Sequence, residues 1–407
     1  MDERRYYGLD ALRGAMMLLG IVLHASLFYM TSLPPAAPVP TDRNNAAVFD
    51  VLFEFIHVFR MPAFFVLAGF FTALLVEKRG VSGALKNRAS RILLPLLAAL
   101  VVILPPTAVL TLDFMLSARF GSHNFIPDVA EIEALMAEVA AKTGEPADRV
   151  PMGHLWFLYY LCLFYALIPS LRWLIKRSRR HADALAGALS KPITMAAFSL
   201  WTALTLWPFK GGQVHEGFMY FLPHPPSLLY YGSFFVFGYV FHSYRAFLGS
   251  CVQHLRAFAL LALILFPLAA HLSALDNAAR GASAYLHLTA VLANALCTWA
   301  LIYAFIGAAT RYFDRPSPWI NYTAQSAYWV YLIHMPLVSL AGWWLVQYDL
   351  PAVLKFLLVC AFTTVTAFAS FHYWVQNTWL GRFLHGRRLN LYWPWADRRA
   401  AVRRSPE

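Results

Sequence analysis

Long apolar runs dominate this sequence, and short charged or Pro/Gly-rich breaks separate them. Most of the runs approach the roughly 20 residues that a helix needs to cross the hydrocarbon core of a bilayer. The apolar residues cluster instead of alternating with polar ones, so the pattern predicts an all-α, polytopic integral membrane protein of about ten transmembrane helices. The candidate spans are residues 10–32, 48–76, 92–112, 154–175, 192–209, 227–241, 257–275, 285–309, 322–343 and 351–375.

The positions of Lys and Arg predict the orientation of these spans. With the N-terminus in the cytoplasm, 24 of the 33 Lys and Arg residues fall in cytoplasmic segments and 6 in outer segments. The remaining three, Arg13, Arg60 and Lys355, fall inside spans. Cytoplasmic loops of membrane proteins carry such an excess of positive charge. Both termini are therefore expected in the cytoplasm, and the first span, too long for a typical signal peptide, is expected to be retained.

No internal repeat or low-complexity linker divides the chain, so residues 1–376 are expected to form one membrane domain. Its largest piece outside the membrane is an outer loop at about 113–152, and residues 377–407 are expected to form a basic cytoplasmic tail. Inside the loop, apolar residues at helical spacing over 129–139 predict a helix with an acidic opposite face, which Gly144 and Pro146 would stop. This helix would either cover the bundle as a surface element or act as a lid or acceptor-contacting element.

Composition supports the membrane class and excludes others. The 407 residues are 59% hydrophobic and only 13% charged, and the mean hydropathy is +0.53; soluble domains are more polar. The net charge of +12 is accounted for by the cytoplasmic loops, so no nucleic-acid partner is predicted. The four cysteines lack CxxC spacing, and neither a disulfide framework nor a metal site is indicated.

The first span contains three ionisable residues, Asp10, Arg13 and His24. Such residues are costly in hydrocarbon and usually face the bundle interior or a water-filled cavity. Arg13 and His24 lie on nearly the same helix face, about 16 Å apart, and Asp10 is close enough to pair with Arg13. The alternative is an arginine that reaches the interface and a histidine bonded to a neighbouring carbonyl.

Histidines in other spans match the predicted depth of the first-span histidine. His57 and His334 lie about nine residues from the outer ends of their spans, and His154 opens the fourth span near the same boundary. Glu54 and Arg60 each lie three residues from His57. Matched depth in several spans favours a shared polar cavity in the outer half of the membrane over separate structural roles.

Histidine is the natural general base near neutral pH, which makes acid–base chemistry the first hypothesis for such a cavity. A carboxylate such as Glu54 would orient a histidine or hold a cation. Neither GxSxG nor HExxH occurs in the chain, so no serine nucleophile or zinc-protease centre is predicted.

The segment between the second and third spans contains Lys86, Arg88 and Arg91 where a helix enters the membrane. Plain anchoring by positive charge explains these residues. The alternative is a clamp for a phosphate-bearing ligand, because Arg and Lys suit phosphate. Arg13 would lie at the same cytoplasmic mouth.

Together these residues resemble the membrane acyltransferase-3 family. Its motifs are Arg-x10-His, Phe-x-x-Ser-Gly, Arg-x-x-Arg and Tyr-Leu-x-His-x-Pro, and they correspond to Arg13–His24, Phe65–Gly69, Arg88–Arg91 and Tyr331–Pro336. The segment at 153–158 also resembles the family, and the similarity runs from about residue 6 to 340. Ala68 replaces the motif serine, so any role of that hydroxyl is absent or belongs to another group. Segments 20–29 and 55–71 look most like members that succinylate periplasmic glucans.

The resemblance implies an enzyme of the bacterial inner membrane that has no bound cofactor. Its donor would be an acyl-CoA on the cytoplasmic side, succinyl-CoA for the glucan-modifying members. Its acceptor would be a hydroxyl of periplasmic glucan or another polysaccharide, and its surroundings the lipid bilayer.

The same resemblance suggests roles for the residues. His24 would be the general base in a direct transfer, with Arg13, Arg88 and Arg91 on the donor phosphates. His57, Arg60 or His334 would stabilise the oxyanion or bind the succinyl carboxylate, and Arg60 suits the carboxylate best. The full expected set consists of catalytic His24, Arg13, His57, His334 and Glu54, and of substrate-binding Arg60, Arg88, Arg91, His154 and Tyr331.

Three alternatives stay open. In the first, the chain is an acyltransferase whose acceptor is another surface polysaccharide, peptidoglycan or a small molecule. The chain would instead be a proton-coupled transporter that uses the intramembrane charges as a relay, although no repeated halves are visible. Finally, it would be a structural partner in glucan export, for which His24 would be dispensable.

Overall fold

A computed structural model describes residues 5–32, 40–121, 129–143, 152–177, 193–214, 221–242, 246–279 and 283–394 of the chain. These residues form helices and connecting segments, with no β-strand among them. The α-helices are α1 (Tyr7–Leu27), α2 (Ala47–Arg88), α3 (Leu94–Val102), α4 (Leu104–Phe120), α5 (Val129–Thr143), α6 (Trp156–Ala166), α7 (Ile168–Arg177), α8 (Ile193–Leu206), α9 (Pro225–Phe241), α10 (Ala246–Gln253), α11 (Leu255–Ala278), α12 (Ala284–Phe313), α13 (Pro318–Val346), α14 (Ala352–Ser370) and α15 (Trp379–His385). Two π-helical segments, Ala89–Leu93 and Phe371–Val375, adjoin α2 and α14.

Six helical stretches among the described residues are long and apolar enough to cross a membrane. They are α1, the stretch Ala47–Val102, α11, α12, α13 and the stretch Ala352–Val375; the bent pair of α6 and α7 would make a seventh. All ten runs predicted from the sequence fall on helices, but α8 and α9 have only 14 and 17 residues. The protein is thus an all-α, multi-pass membrane protein, and the count of ten spans stays a prediction.

The segment predicted as a cytoplasmic connection between the second and third spans is largely helical. α2 has 42 residues and an irregular backbone only at Gly80, where φ is 68° and ψ is 175°. The five-residue π-helix Ala89–Leu93 follows directly and leads into α3. Because a π-helix has more residues per turn than an α-helix, Arg88 and Arg91 point in more divergent directions than an α-helix would allow.

The crossing of α2 and α9 brings two backbones together. A Cβ atom on Gly69 would overlap the carbonyl oxygen of Phe235, and one on Gly238 would overlap the carbonyl oxygen of Val66. Small residues allow such approach between membrane helices, where packing replaces the hydrophobic effect as the main attraction. Gly69, the last residue of the second motif, therefore serves packing.

The predicted amphipathic helix of the outer loop is confirmed as α5. An ion pair of 3.6 Å between Arg119 Nε and Glu138 Oε2 joins it to the end of α4. Gly144 and Pro146, the expected stop signals, lie outside the described residues.

A buried ion pair joins the segment between α1 and α2 to α14. Lys355 Nζ donates to both carboxylate oxygens of Asp42, at 2.9 and 2.7 Å. The two side chains are 0% and 1% exposed. The Asp42 carboxylate also accepts from the Asn44 amide at 2.9 Å, so the charge of Lys355, which the sequence places inside a span, is fully compensated.

The part of the expected cytoplasmic tail that the structure describes packs against the bundle. Gln376 accepts from the Leu389 amide through its backbone oxygen and from the Leu391 amide through its side chain, at 2.6 and 3.0 Å. Trp393 stacks on His372 with ring centroids 4.1 Å apart. These contacts fix the chain that follows α15.

Candidate functional site

Three histidines from separate elements meet inside the bundle. The ring of His334 on α13 lies 5.2 Å from that of His24 on α1 and 5.2 Å from that of His154, measured between centroids. His154 and His334 are 6% and 2% exposed, whereas His24 is only partly buried. We call these three residues the histidine group. Within it, His24 has the most exposed side chain, although its Nδ1 atom is buried without a hydrogen-bond partner among the described residues.

Backbone carbonyls decide which nitrogen of two of these rings carries a proton. His334 Nδ1 lies 2.6 Å from the Tyr331 oxygen, and His154 Nε2 lies 3.1 Å from the Leu332 oxygen. Because a carbonyl oxygen only accepts, each of these nitrogens must donate. The other nitrogens, His334 Nε2 and His154 Nδ1, are buried without a hydrogen-bond partner among the described residues, so each presents a lone pair to the interior.

A proline in α13 makes the contact of His154 possible. Pro336 has no amide hydrogen, so the carbonyl of Leu332, four residues earlier, lacks its helical donor. His154 donates to that carbonyl, and Tyr331 in turn donates its hydroxyl to the His154 carbonyl. The turn that holds His154 begins at Gly153, where φ is +53°. The Tyr-Leu-x-His-x-Pro and Gly-His motifs thus form one interlocked unit.

The side chain of Arg60 on α2 extends to the histidine group past Gly20, which has no side chain to fill that space. A Cβ atom on Gly20 would lie 2.7 Å from Arg60 Nη1 and 3.6 Å from His334 Nε2. Arg60 is 7% exposed, and it acts electrostatically on His24. The guanidinium therefore lies beside the lone pair of His334, in space that any larger residue at position 20 would fill.

His57, also expected from α2, lies close enough to the group to act on it. His57 Nε2 donates to the Val214 carbonyl at 2.8 Å, and the ring stacks on Phe53 at 5.1 Å. Glu54, the other residue expected from α2, has its Oε2 atom buried without a hydrogen-bond partner among the described residues. His57 acts on His24 electrostatically and borders a small cavity beside Asn294 and Thr298.

A second set of residues lies towards the end of α1 that holds Arg13. Arg13 pairs with Asp10 at 3.2 Å, as the spacing predicts, and donates to the Ala324 carbonyl at 3.3 Å. Arg88 donates to the Thr72 hydroxyl at 3.3 Å and covers the ring of Tyr165 at 5.1 Å. Arg13 and Arg88 act on each other electrostatically. We call these two arginines the inner basic pair.

Arg91 lies against the C-terminal segment, and Arg88 of the inner basic pair is near enough to act on it electrostatically. A Cβ atom on Gly386 would lie 2.7 Å from Arg91 Cζ. Arg79 and Arg387 are near enough to act on Arg91. Burial, together with Arg91, Arg13 and Arg387, lowers the pKa of His385 to about 4, so this ring is neutral at pH 7.

The structure thus brings together most of the residues predicted from the sequence, in two places. The histidine group with Arg60 and Tyr331 forms one, and the arginines form the other. Sequence reasoning missed Gly20, Thr72, His385 and Arg387. Gly20 lies between the two motif residues of α1, but nothing in the tail distinguishes Arg387 from its basic neighbours. Within the described residues, no three His, Cys, Asp or Glu side chains are arranged to hold a metal ion.

The chain is similar in sequence to known proteins. Residues 6–372 match a family described as "Acyltransferase domain". Glucans biosynthesis protein C of Escherichia coli O139:H28 (strain E24377A / ETEC) is 25% identical over 84% of either chain. The proteins of the same name from Escherichia coli (strain K12) and Shigella dysenteriae serotype 1 (strain Sd197) are 24% identical over 84% of either chain. No solved structure matches the chain.

Proposed function

Because this chain belongs to the acyltransferase family whose domain covers residues 6–372, and is thus a membrane O-acyltransferase, we propose that it transfers a succinyl group from cytoplasmic succinyl-CoA to hydroxyls of a periplasmic glucan. The glucan follows the printed name of the relatives, glucans biosynthesis protein C. The observation that carries the proposal is the pairing of two sites along α1: arginines at one end, and histidines about 16 Å further along.

His24 is the proposed general base, since it is the least buried member of the histidine group. It removes the proton of the acceptor hydroxyl while the oxygen attacks the thioester carbonyl. The carbon–sulfur bond of the tetrahedral intermediate then breaks, and the leaving thiolate takes the proton from the His24 imidazolium. Transfer is direct, without an acyl-enzyme.

The topology completes the proposal. Ten spans with both termini in the cytoplasm of a bacterial inner membrane put the arginines on the side where acyl-CoA is made. The histidine group then lies in the outer half of the membrane, within reach of a periplasmic acceptor. The transporter alternative needs no covalent transfer, so the experiment below separates the two.

The role of His24 is tested by His24→Gln in a strain that lacks the gene. Mass spectrometry of periplasmic glucans should find succinyl groups with the wild-type protein and not with the variant, because loss of a general base slows transfer by about 10²- to 10⁴-fold. His271→Gln is the matched control, since His271 is exposed on α11. Succinylation by His24→Gln at the normal level would remove His24 from the mechanism. Unmodified glucan with the wild-type protein would contradict the acceptor.

Arg60 is proposed to bind the carboxylate of the succinyl group. Arg60→Met should lower kcat/KM for succinyl-CoA by about 10- to 100-fold, the value of a charge-assisted hydrogen bond, and lower transfer from acetyl-CoA much less. Arg315→Met, on an exposed turn after α12, serves as the control in purified protein. An equal fall for both donors would assign Arg60 to the oxyanion instead.

A further inference from the structure

Four cationic or titratable side chains meet at the C-terminal segment, beyond the inner basic pair. The guanidinium of Arg91 lies against Gly386, with Cζ and Nε 2.7 and 2.9 Å from the position of a Cβ atom there. The residues on either side of Gly386 are His385 and Arg387. Arg79, Arg387 and Arg88 act electrostatically on Arg91. Arg91, Arg13 and Arg387 act on His385, so the four side chains adjoin the inner basic pair. We call Arg79, Arg91, His385 and Arg387 the outer basic cluster.

Among the residues that the structure describes, no carboxylate balances the positive charge of this cluster. In the part of the chain that the structure describes, Arg79, Arg91 and Arg387 form no ion pair with Asp or Glu, whereas Arg5 and Arg13 share Asp10. His385 Nε2 is buried and has no hydrogen-bond partner within the described ranges. Like charges held together repel one another, and an anion bound between them removes that cost.

The cluster is built on fixed backbone. Gly386 has φ of +70°, its amide donates to the Arg382 carbonyl at 2.8 Å, and it ends α15. Past it, Gln376 holds the chain at Leu389 and Leu391. These hydrogen bonds hold the segment that contains Arg387 in a fixed position next to Arg91.

We propose that the outer basic cluster binds a phosphate ester. Given the proposed function, on which this step rests, the ester is the phosphomonoester on the ribose of the CoA donor, and the inner basic pair takes the diphosphate. Coenzyme A carries both groups on one nucleotide, and two adjoining sets of arginines match its two phosphate-bearing positions. Guanidinium groups bind phosphate oxygens through paired hydrogen bonds. The C-terminal segment thereby distinguishes coenzyme A from its dephosphorylated analogue.

The test measures binding of coenzyme A and dephospho-coenzyme A to the full-length protein in nanodiscs of phosphatidylcholine. Wild-type protein should bind coenzyme A on the order of tenfold more tightly than the analogue, and Arg387→Gln should abolish this ratio. The matched control is Arg388→Gln, because Arg388 is exposed too but is not among the residues that act on Arg91 or His385. Equal ratios in Arg387→Gln and wild type would overturn the proposal.

Two further measurements distinguish the donor from other ligands of the cluster and from failure of the proposed function. Anionic lipid headgroups are a second source of phosphate esters at this surface, so the titration is repeated with phosphatidylglycerol. Lipid that competes with coenzyme A only when Arg387 is present, together with a wild-type ratio of one, would assign the cluster to lipid and overturn the donor assignment. His24→Gln should keep the ratio while losing transfer. Wild-type protein that binds neither nucleotide would contradict the proposed donor as well, whereas binding without discrimination would contradict only the cluster.

Discussion

Near position 68, where the family motif has a serine, the next helical turn of this chain carries a hydroxyl. The family motif has Ser where this chain has Ala68, and Thr72 lies four residues later on the same face of α2. The Thr72 hydroxyl donates to the Ala68 carbonyl at 2.6 Å and accepts from Arg88 at 3.3 Å. Thr72 thus supplies a polar contact to an arginine of the inner basic pair.

Thr72→Val tests this contact, because Val has the same shape without the hydroxyl. Arg88 loses an acceptor, so the KM for the acyl-CoA donor should rise by about three- to tenfold, the value of one hydrogen bond, with kcat little changed. Thr72→Ser keeps the hydroxyl and should behave as wild type. If Thr72→Val shows a normal KM, the contact with Arg88 has no role in donor binding.

The residue positions themselves were largely predictable. Helical periodicity fixed the Asp10–Arg13 pair and put His24 at the depth of His334, because 1.5 Å per residue converts sequence position into depth. The same reasoning could not foresee that Arg60 fills the gap at Gly20, since that contact depends on the crossing of two helices. Nor does the sequence show which ring nitrogen of His334 carries the proton, which a neighbouring carbonyl decides.

At the scale of elements, Pro336 in α13 removes one helical hydrogen bond, and the carbonyl that loses its donor holds His154 in position. An interior proline costs a helix about 3 kcal/mol relative to Ala, and here the unpaired carbonyl of Leu332 receives His154 instead. The stability lost at the interior proline therefore accompanies the hydrogen bond that positions His154 in the site.

Pro336→Ala should restore the helical bond and raise thermal stability, while it lowers kcat/KM by about tenfold or more, because misplacement of about 1 Å costs up to 10² in rate. Pro267→Ala provides the control: Pro267 also lies inside a helix, α11, but is exposed. Both variants should unfold at a higher temperature, and only Pro336→Ala should lose transfer. Unchanged kcat/KM in Pro336→Ala would contradict the role of the proline.

Elements that depend on long apolar runs were predictable, and those that depend on packing were not. The run of Ala284–Phe313 is helical and buried as its composition predicts. The π-helix at Ala89–Leu93 has no comparable pattern in the sequence. The sequence also gave no reason to expect that residues 379–394 pack back onto the bundle.

For the whole molecule, the buried pair of Lys355 and Asp42 joins the first two helices to α14. Breaking a buried pair leaves an uncompensated charge, which costs about 3–5 kcal/mol. Lys355→Met should therefore lower the free energy of unfolding in detergent by about that amount. The double variant Asp42→Asn/Lys355→Met should lose less, because no charge is left unpaired.

A double-mutant cycle with Asp42→Asn measures the coupling between the two residues. Lys86→Met, at an exposed position near the end of α2, should leave stability unchanged. Strictly additive effects of Asp42→Asn and Lys355→Met would show that the pair contributes nothing beyond its separate side chains.

The same ion pair spans 313 positions of sequence, and this separation has a consequence for how the protein is made. The ribosome delivers Asp42 early and Lys355 near the end of synthesis, so the aspartate must wait until almost every other helix has entered the membrane. His24 likewise meets His334 only after α13 has been inserted. The earliest helices of a nascent chain therefore remain without their final partners through most of translation. The last helices to be inserted complete both the Asp42–Lys355 ion pair and the histidine group.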